Sequence, residues 1–126
     1  MDKNNILVVE DNPMNQLLIK TIFENEGFNF IISNNGLEAI NTLKEKSFNL
    51  ILMDLMMPVM NGYEASSIIR NELNLDIPII AITADVTSKI KDKCIQAGMN
   101  DYISKPYKIE ELISITRKHL NNITNE

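Results

Sequence analysis

The sequence predicts an α/β fold, a doubly wound (βα)5 arrangement around a five-stranded parallel sheet. Three observations predict it. Short apolar runs alternate five times with stretches of helical periodicity. The runs end abruptly in polar residues with useful chemistry. All four glycines (Gly27, Gly36, Gly62, Gly98) and all four prolines (Pro13, Pro58, Pro78, Pro106) fall at the edges of the expected elements, where turn chemistry belongs.

Ile6-Leu7-Val8-Val9 is a continuous apolar run that stops at Glu10-Asp11. A parallel strand covered on both faces reads this way. Asn12 then serves as an N-cap, Pro13 as the first helical residue and Gly27 as the stop. Between them Met14, Leu17, Leu18, Thr21 and Ile22 follow helical spacing and predict the buried stripe. Phe28 to Ser33 reads as the second strand, and Leu37, Ile40 and Leu43 mark the second helix. Leu50-Ile51-Leu52-Met53 is the third strand, ending in Asp54; Ala65, Ile68 and Ile69 mark the third helix. Ile79-Ile80-Ala81-Ile82 is the fourth strand, ending in Thr83; Val86, Ile90, Cys94 and Ala97 mark a helix closed by Gly98. Tyr102-Ile103-Ser104 is a short fifth strand before Lys105-Pro106, and Ile109, Leu112, Ile113, Thr116 and Leu120 mark the last helix. Strand–helix alternation of this kind implies right-handed crossovers, with helices on both faces of the sheet.

The chain has 126 residues, 44% hydrophobic and 23% charged. That length suits one domain, residues 1–126, and that composition excludes disorder. No apolar run approaches the roughly 18 residues of a membrane span. The N-terminus lacks the features of a signal peptide. One cysteine, Cys94, allows no internal disulfide. A cytoplasmic location is expected, either free or as the cytoplasmic part of a membrane-anchored protein, with no membrane contact by this segment. The net charge of −5 argues against direct nucleic-acid binding and fits a bound cation.

In a doubly wound sheet, ligands sit outside the carboxyl ends of the strands. Glu10, Asp11, Asp54, Thr83, Ser104 and Lys105 all fall there. Any one acid at a strand end is ordinarily a solvated loop residue or a helix cap. Four strand ends with matching chemistry are a different observation. Three carboxylates repel one another and one lysine offsets only part of that, so the group must shift a pKa, spread apart or bind a cation. Oxygen ligands suit Mg²⁺ or Mn²⁺. A metal beside a carboxylate, a lysine and a threonine is an arrangement for phosphoryl transfer, with the carboxylate as nucleophile.

These segments resemble the receiver domain of two-component response regulators, the CheY-like superfamily. The resemblance runs from about Asn5 to Leu120. It is carried by Ile6 to Asn12, Leu52 to Gly62, Ile80 to Ala84 and Gly98 to Pro106. It implies a flavodoxin-like strand order of 2-1-3-4-5. It implies that Asp54 is the phosphoacceptor, and that Glu10, Asp11, Asp54 and the Met56 carbonyl hold Mg²⁺. Lys105, Thr83 and the Ala84 N–H would bind the phosphoryl group, Thr83 and Tyr102 would form the switch, and the bond before Pro106 would be cis. The implied partners are a histidine kinase or histidine phosphotransfer protein and a downstream protein or attached domain. Asn12 and Asn15 resemble receivers carried by hybrid histidine kinases. The chain would then be a stand-alone receiver or part of such a kinase. It would catalyse its own phosphorylation and slow dephosphorylation without turning over external substrates. Glu10 is one methylene longer than the aspartate frequent there, and Met56 with Asp85 is expected to govern the access of water. The readout is expected on the fourth helix, fifth strand and fifth helix, with Ile95, Tyr107 and Lys108 exposed.

Competing readings are weaker. A phosphatase of the aspartyl-phosphate class needs an acid two residues after the nucleophile, where Met56 stands. A flavin or nucleotide module needs a glycine- or hydroxyl-rich loop after the first strand, and Asp11-Asn12-Pro13-Met14-Asn15 is neither. A degenerate receiver acting only as an interaction module is the remaining alternative, opposed by the presence of Asp54, Thr83 and Lys105. His119 reads as a solvated residue near a helix C-terminus, and Cys94 as a small core residue. Met53, Met56, Met57 and Met60 read as gap-fillers, and Lys89, Lys91 and Lys93 as a solvated helix face.

Overall fold

The computed structural model describes residues 5–85 and 87–124, with side chains through Leu120. Strands β1 (Asn5–Val9), β2 (Asn29–Ser33), β3 (Leu50–Asp54), β4 (Ile79–Thr83) and β5 (Asp101–Ser104) alternate with helices α1 (Pro13–Glu26), α2 (Gly36–Glu45), α3 (Gly62–Asn71), α4 (Ser88–Gln96) and α5 (Ile109–Thr124). The sheet is parallel, in the order β2-β1-β3-β4-β5. Val86, expected on the fourth helix, lies outside the described residues.

The two-residue period of a strand divides the core into two layers. Leu7, Val9, Ile51, Met53, Ile79 and Ala81 pack under α2, α3 and α4. Ile6, Val8, Leu50, Leu52, Ile80 and Ile82 pack under α1 and α5. β3 and β4 are buried at every position. That explains why their sequences show no alternation of polar and apolar residues.

Helix α1 begins and ends as the sequence predicts. The Asn12 side chain accepts from the Met14 and Asn15 N–H groups, Pro13 is the first helical residue, and Gly27 closes the helix in the left-handed conformation. Its buried stripe is different. Ile19, Ile22 and Phe23 are buried, while Met14, Leu17 and Leu18 are 73%, 57% and 40% exposed. Two apolar stripes overlap on this helix, and Phe23 decides between them. Its ring meets Phe28 and Phe30 edge-on, at centroid distances of 5.3 and 5.8 Å. Turning that ring inward places Met14 and Leu17 outward.

Leu37 and Ile109 lie on their helices as expected, in exposed first turns. Two other expectations fail for related reasons. Tyr107 is half-buried, packed against the α1–α5 layer. His119 is buried rather than solvated, with Nε2 3.0 Å from Asp101 Oδ2. The Lys118 ammonium shares that carboxylate at 3.4 Å. Burial opposes the Asp101 charge, but hydrogen bonds from His119 and the Tyr102 N–H, together with Lys118, outweigh it and lower the pKa. Cys94 is buried, as expected.

The loop from β3 to α3 is tightly folded. The Met60 N–H donates to the Pro58 carbonyl at 2.8 Å across Val59. Val59 has φ +72°, which is strained for a β-branched residue. The Gly62 N–H donates to the Leu55 carbonyl at 3.0 Å, which draws the start of α3 against β3. A Cβ on Gly62 would stand 2.6 Å from the Asp54 carbonyl oxygen, a backbone atom that cannot turn aside. Gly62→Ala is therefore expected to lower stability by about 1–3 kcal/mol, the usual cost of overpacking, as read from urea denaturation.

Candidate functional site

The strand ends converge where the sequence indicates. Asp54, the last residue of central β3, is 2% exposed. The Lys105 ammonium, just past β5, donates to Asp54 Oδ2 at 3.0 Å and stands 3.7 Å from Glu10 Oε1. The Met56 N–H donates to Asp54 Oδ1 at 3.2 Å, so each oxygen of this carboxylate has a donor. Carboxylate oxygens of Glu10, Asp11 and Asp54 all lie within 4.8 Å of one another.

Glu10 is fully buried. Oε2 accepts from the Asn12 N–H at 3.0 Å, whereas Oε1 has no hydrogen-bond partner. Burial and, after it, the Asp54 charge raise the pKa of Glu10 to about 7, against the pull of the Asn12 N–H and Lys105. A buried carboxylate oxygen without a donor, beside two further carboxylates and one ammonium, lacks positive charge. The donor set is entirely oxygen, the kind that hard divalent cations prefer. Tyr107 adds a second buried oxygen without a partner, its hydroxyl. Burial, followed by the charges of Glu10 and Asp54, pushes its pKa up to about 12.

The other expected residues surround this centre. Thr83 is buried, and its hydroxyl is committed to the loop, donating to the Asp85 carbonyl and accepting from the Asp85 N–H, both at 3.0 Å. Ala84 is exposed and lines an open cleft of about 330 Å³ with Asn15, Leu18, Lys105, Pro106 and Tyr107. The Lys105–Pro106 bond is cis, as expected. The Met56 side chain is 79% exposed and is no gap-filler, although Met53 and Met57 are buried. Tyr102 is half-buried at the edge of the α2–α4 layer, with the Lys91 ammonium 4.9 Å from its ring centroid. Lys93 stands 6.0 Å from the Tyr63 ring, so these lysines also cover aromatic surface.

The sequence matches the family described as the response regulator receiver domain over residues 6–117. The chain belongs to that family. A receiver domain of a sensor histidine kinase from Pseudomonas aeruginosa is similar at 38% identity and a TM-score of 0.85, covering 94% of this chain and 98% of that one. That structure carries a magnesium ion in its active-site cleft. The receiver domain of the Saccharomyces cerevisiae response regulator Ssk1, solved with the histidine phosphotransfer protein Ypd1, is 32% identical with a TM-score of 0.85, covering 90% of this chain and 86% of that one. Hybrid signal transduction histidine kinase B of Dictyostelium discoideum is 37% identical over 129 residues, which cover 92% of this chain. This receiver spans only 7% of that kinase's length. No helix among the described residues is long and apolar enough to cross a membrane. The receiver relatives and the assembled charged cluster give the degenerate alternative no support.

One residue beside this receiver site is not legible in the sequence. Gln16 donates through Nε2 to the Glu10 carbonyl at 2.5 Å and to Asn34 Oδ1 at 2.8 Å. Its only sequence signal is a polar residue one turn past the N-cap, where an apolar one would also fit.

The raised pKa of Glu10 has a consequence for stability without metal. The folded state holds this proton more tightly than the unfolded chain, whose value is about 4.5. The contribution is therefore fully present below about pH 4.5 and is lost as pH rises through about 7. A shift of that size corresponds to about 3 kcal/mol. In EDTA, wild-type stability is expected to fall over this window by up to that amount, and Glu10→Gln to remove most of the slope in denaturation midpoints measured against pH.

Proposed function

We propose that residues 1–126 act as one phosphoacceptor unit, taking a phosphoryl group from a partner's phosphohistidine onto Asp54. The observation that carries this reading is the buried Asp54 carboxylate, held by Lys105 at 3.0 Å within a cluster of three acids. Glu10, Asp11, Asp54 and the Met56 carbonyl would hold Mg²⁺, and Mn²⁺ would serve in the same place. The bound cation supplies charge neutralisation at the phosphoryl oxygens.

The chain's own residues do the rest. An Asp54 oxygen attacks phosphorus in line with the donor imidazole. The phosphorus–oxygen bond forms as the phosphorus–nitrogen bond breaks, and the imidazole leaves with the electron pair and takes a proton from water. Lys105 moves from the carboxylate to the phosphoryl oxygens, where charge has increased. The Ala84 N–H meets a second oxygen. Thr83 exchanges its bonds to Asp85 for a third, and Tyr102 follows into the space vacated. Modification replaces a charge of −1 by about −2, and only such differential interactions shift the balance between two states. The readout surface is α4, β5 and α5, where Ile95, Lys91 and Lys108 are exposed. Loss of the phosphoryl group requires attack by water on phosphorus, which releases inorganic phosphate. With Met56 where a phosphatase carries an acid, that step is slow.

The partner side is Met14, Leu17 and Leu18, an exposed apolar stripe that reaches the cleft through Leu18. A helical phosphohistidine protein would cover it; the similar receiver domain of Ssk1 is solved in complex with a histidine phosphotransfer protein. The reading places the unit on the cytoplasmic side of a signalling system, free or attached to a hybrid kinase.

Incubation with acetyl phosphate and Mg²⁺ is expected to add one phosphoryl mass to the intact chain, with EDTA or Asp54→Ala abolishing the gain. A wild type that gains nothing would sink the reading. Because Glu10 must lose its proton to hold a cation, Mg²⁺ affinity is expected to fall about tenfold per pH unit below pH 7 in calorimetric titrations. Leu18→Asp is expected to slow transfer from a phosphorylated phosphotransfer protein at least tenfold while leaving labelling by acetyl phosphate unchanged.

A further inference from the structure

A β-strand sends successive side chains to opposite faces. Glu10 and Asp11 are consecutive, yet both carboxylates come within 4.8 Å of Asp54. The chain must leave strand geometry at the peptide that joins them. The Glu10 N–H still extends the ladder, donating to the Ser33 carbonyl at 3.0 Å. The Glu10 carbonyl, which is the oxygen of the 10–11 peptide, accepts from Gln16 Nε2 at 2.5 Å. The second hydrogen of Nε2 goes to Asn34 Oδ1 at 2.8 Å. Asn34 is anchored in turn, because its backbone N–H and its Nδ2 donate to Glu38 Oε1 at 3.0 and 3.2 Å. A carbonyl can only accept and a carboxylate at neutral pH can only accept, so the direction of every bond in this chain is determined. Both donors of the Gln16 amide nitrogen are used, and the side chain has no freedom to turn.

We propose that Gln16 is a positioning residue for the cation-binding pair, its amide holding the 10–11 peptide in the orientation that turns Glu10 and Asp11 toward one ion. It acts through the peptide rather than on the cation or the phosphoryl group. The inference rests on the reading that these two acids hold Mg²⁺. It explains why a glutamine is placed on α1 beside the mouth of the site, and it extends the site into the β2–α2 loop through Asn34.

The test uses the full chain, with Mg²⁺ as the probe. Gln16→Leu keeps the approximate length and removes both donors, while Gln16→Arg restores donors to the same place. Groups that orient metal ligands typically cost 10–100-fold in affinity when removed. Calorimetric Mg²⁺ binding by unphosphorylated Gln16→Leu is expected to weaken about tenfold. Labelling by acetyl phosphate at saturating Mg²⁺ should stay within twofold of wild type, and Gln16→Arg should recover most of the affinity. Should Gln16→Leu not fold, Asn34→Ala, at an exposed loop position, is expected to show a smaller loss of the same kind at an unchanged denaturation midpoint. Wild-type affinity in Gln16→Leu overturns the inference alone. So does a loss that tracks the denaturation midpoint and is not recovered by Gln16→Arg. A wild type that binds no Mg²⁺ overturns the reading of the site and the inference with it.

Discussion

The charge imbalance at the carboxyl edge of the sheet is the constraint on which the site depends. Three carboxylates converge and one ammonium answers them. In water, two like charges 4 Å apart repel by about 1 kcal/mol; where solvent is partly excluded the figure is several times larger. Glu10 and Asp54 are both almost free of solvent. The cluster persists because backbone N–H groups of Asn12 and Met56 and the Lys105 ammonium hold it in place, and because Glu10 retains its proton to about pH 7. A folded protein seldom assembles such a group for stability alone. In the proposed function the imbalance is the binding energy for a cation, and after it for a phosphoryl group.

The fold supplies that imbalance inexpensively. In a parallel sheet every strand ends at the same edge, so residues 44 positions apart, such as Glu10 and Asp54, meet without any long loop. Central β3, buried at every position, carries Asp54 to its end as part of a rigid element. The tight return through Val59 to Gly62 brings α3 directly behind it. The acids are therefore fixed by strand ends and tied loops. The hydroxyl expected to move, that of Thr83, is held by a pair of hydrogen bonds within its own loop, which can be exchanged for others without unfolding a strand.

The legibility of the sequence followed the range of the interactions. β3 and β4 were legible because burial on both faces demands a continuous apolar run, a property of five neighbouring residues. Asp54, Thr83 and Lys105 were legible because they follow those runs directly. The face of α1 was not. Met14-Leu17-Leu18 and Ile19-Ile22-Phe23 both satisfy helical spacing, and the choice is made by Phe28, in the turn after α1, and Phe30 on β2. The burial of His119 is not legible for the same reason. Its partner, Asp101, lies 18 residues away on β5, and only the packing of α5 brings them to 3.0 Å. Gln16 is not legible because nothing in a polar side chain on a helix announces that it faces a carbonyl six residues earlier.

The exposed stripe on α1 has a functional sense in the proposed reading. A helix that buried Met14, Leu17 and Leu18 would satisfy its periodicity and remove Leu18 from the lining of the cleft beside Lys105. With Phe23 anchoring the opposite side, α1 is secured to the core by one stripe and presents the other to solvent. Chemistry and recognition are thus separated along one helix. The Asn12 N–H holds the Glu10 carboxylate and the Gln16 amide holds the Glu10 carbonyl, while Leu17 and Leu18, on the exposed side, are available to a partner. Substitutions in the exposed stripe leave the charge arrangement at Asp54 intact. In the proposed function, a receiver of this design changes partner without rebuilding its phosphoacceptor site.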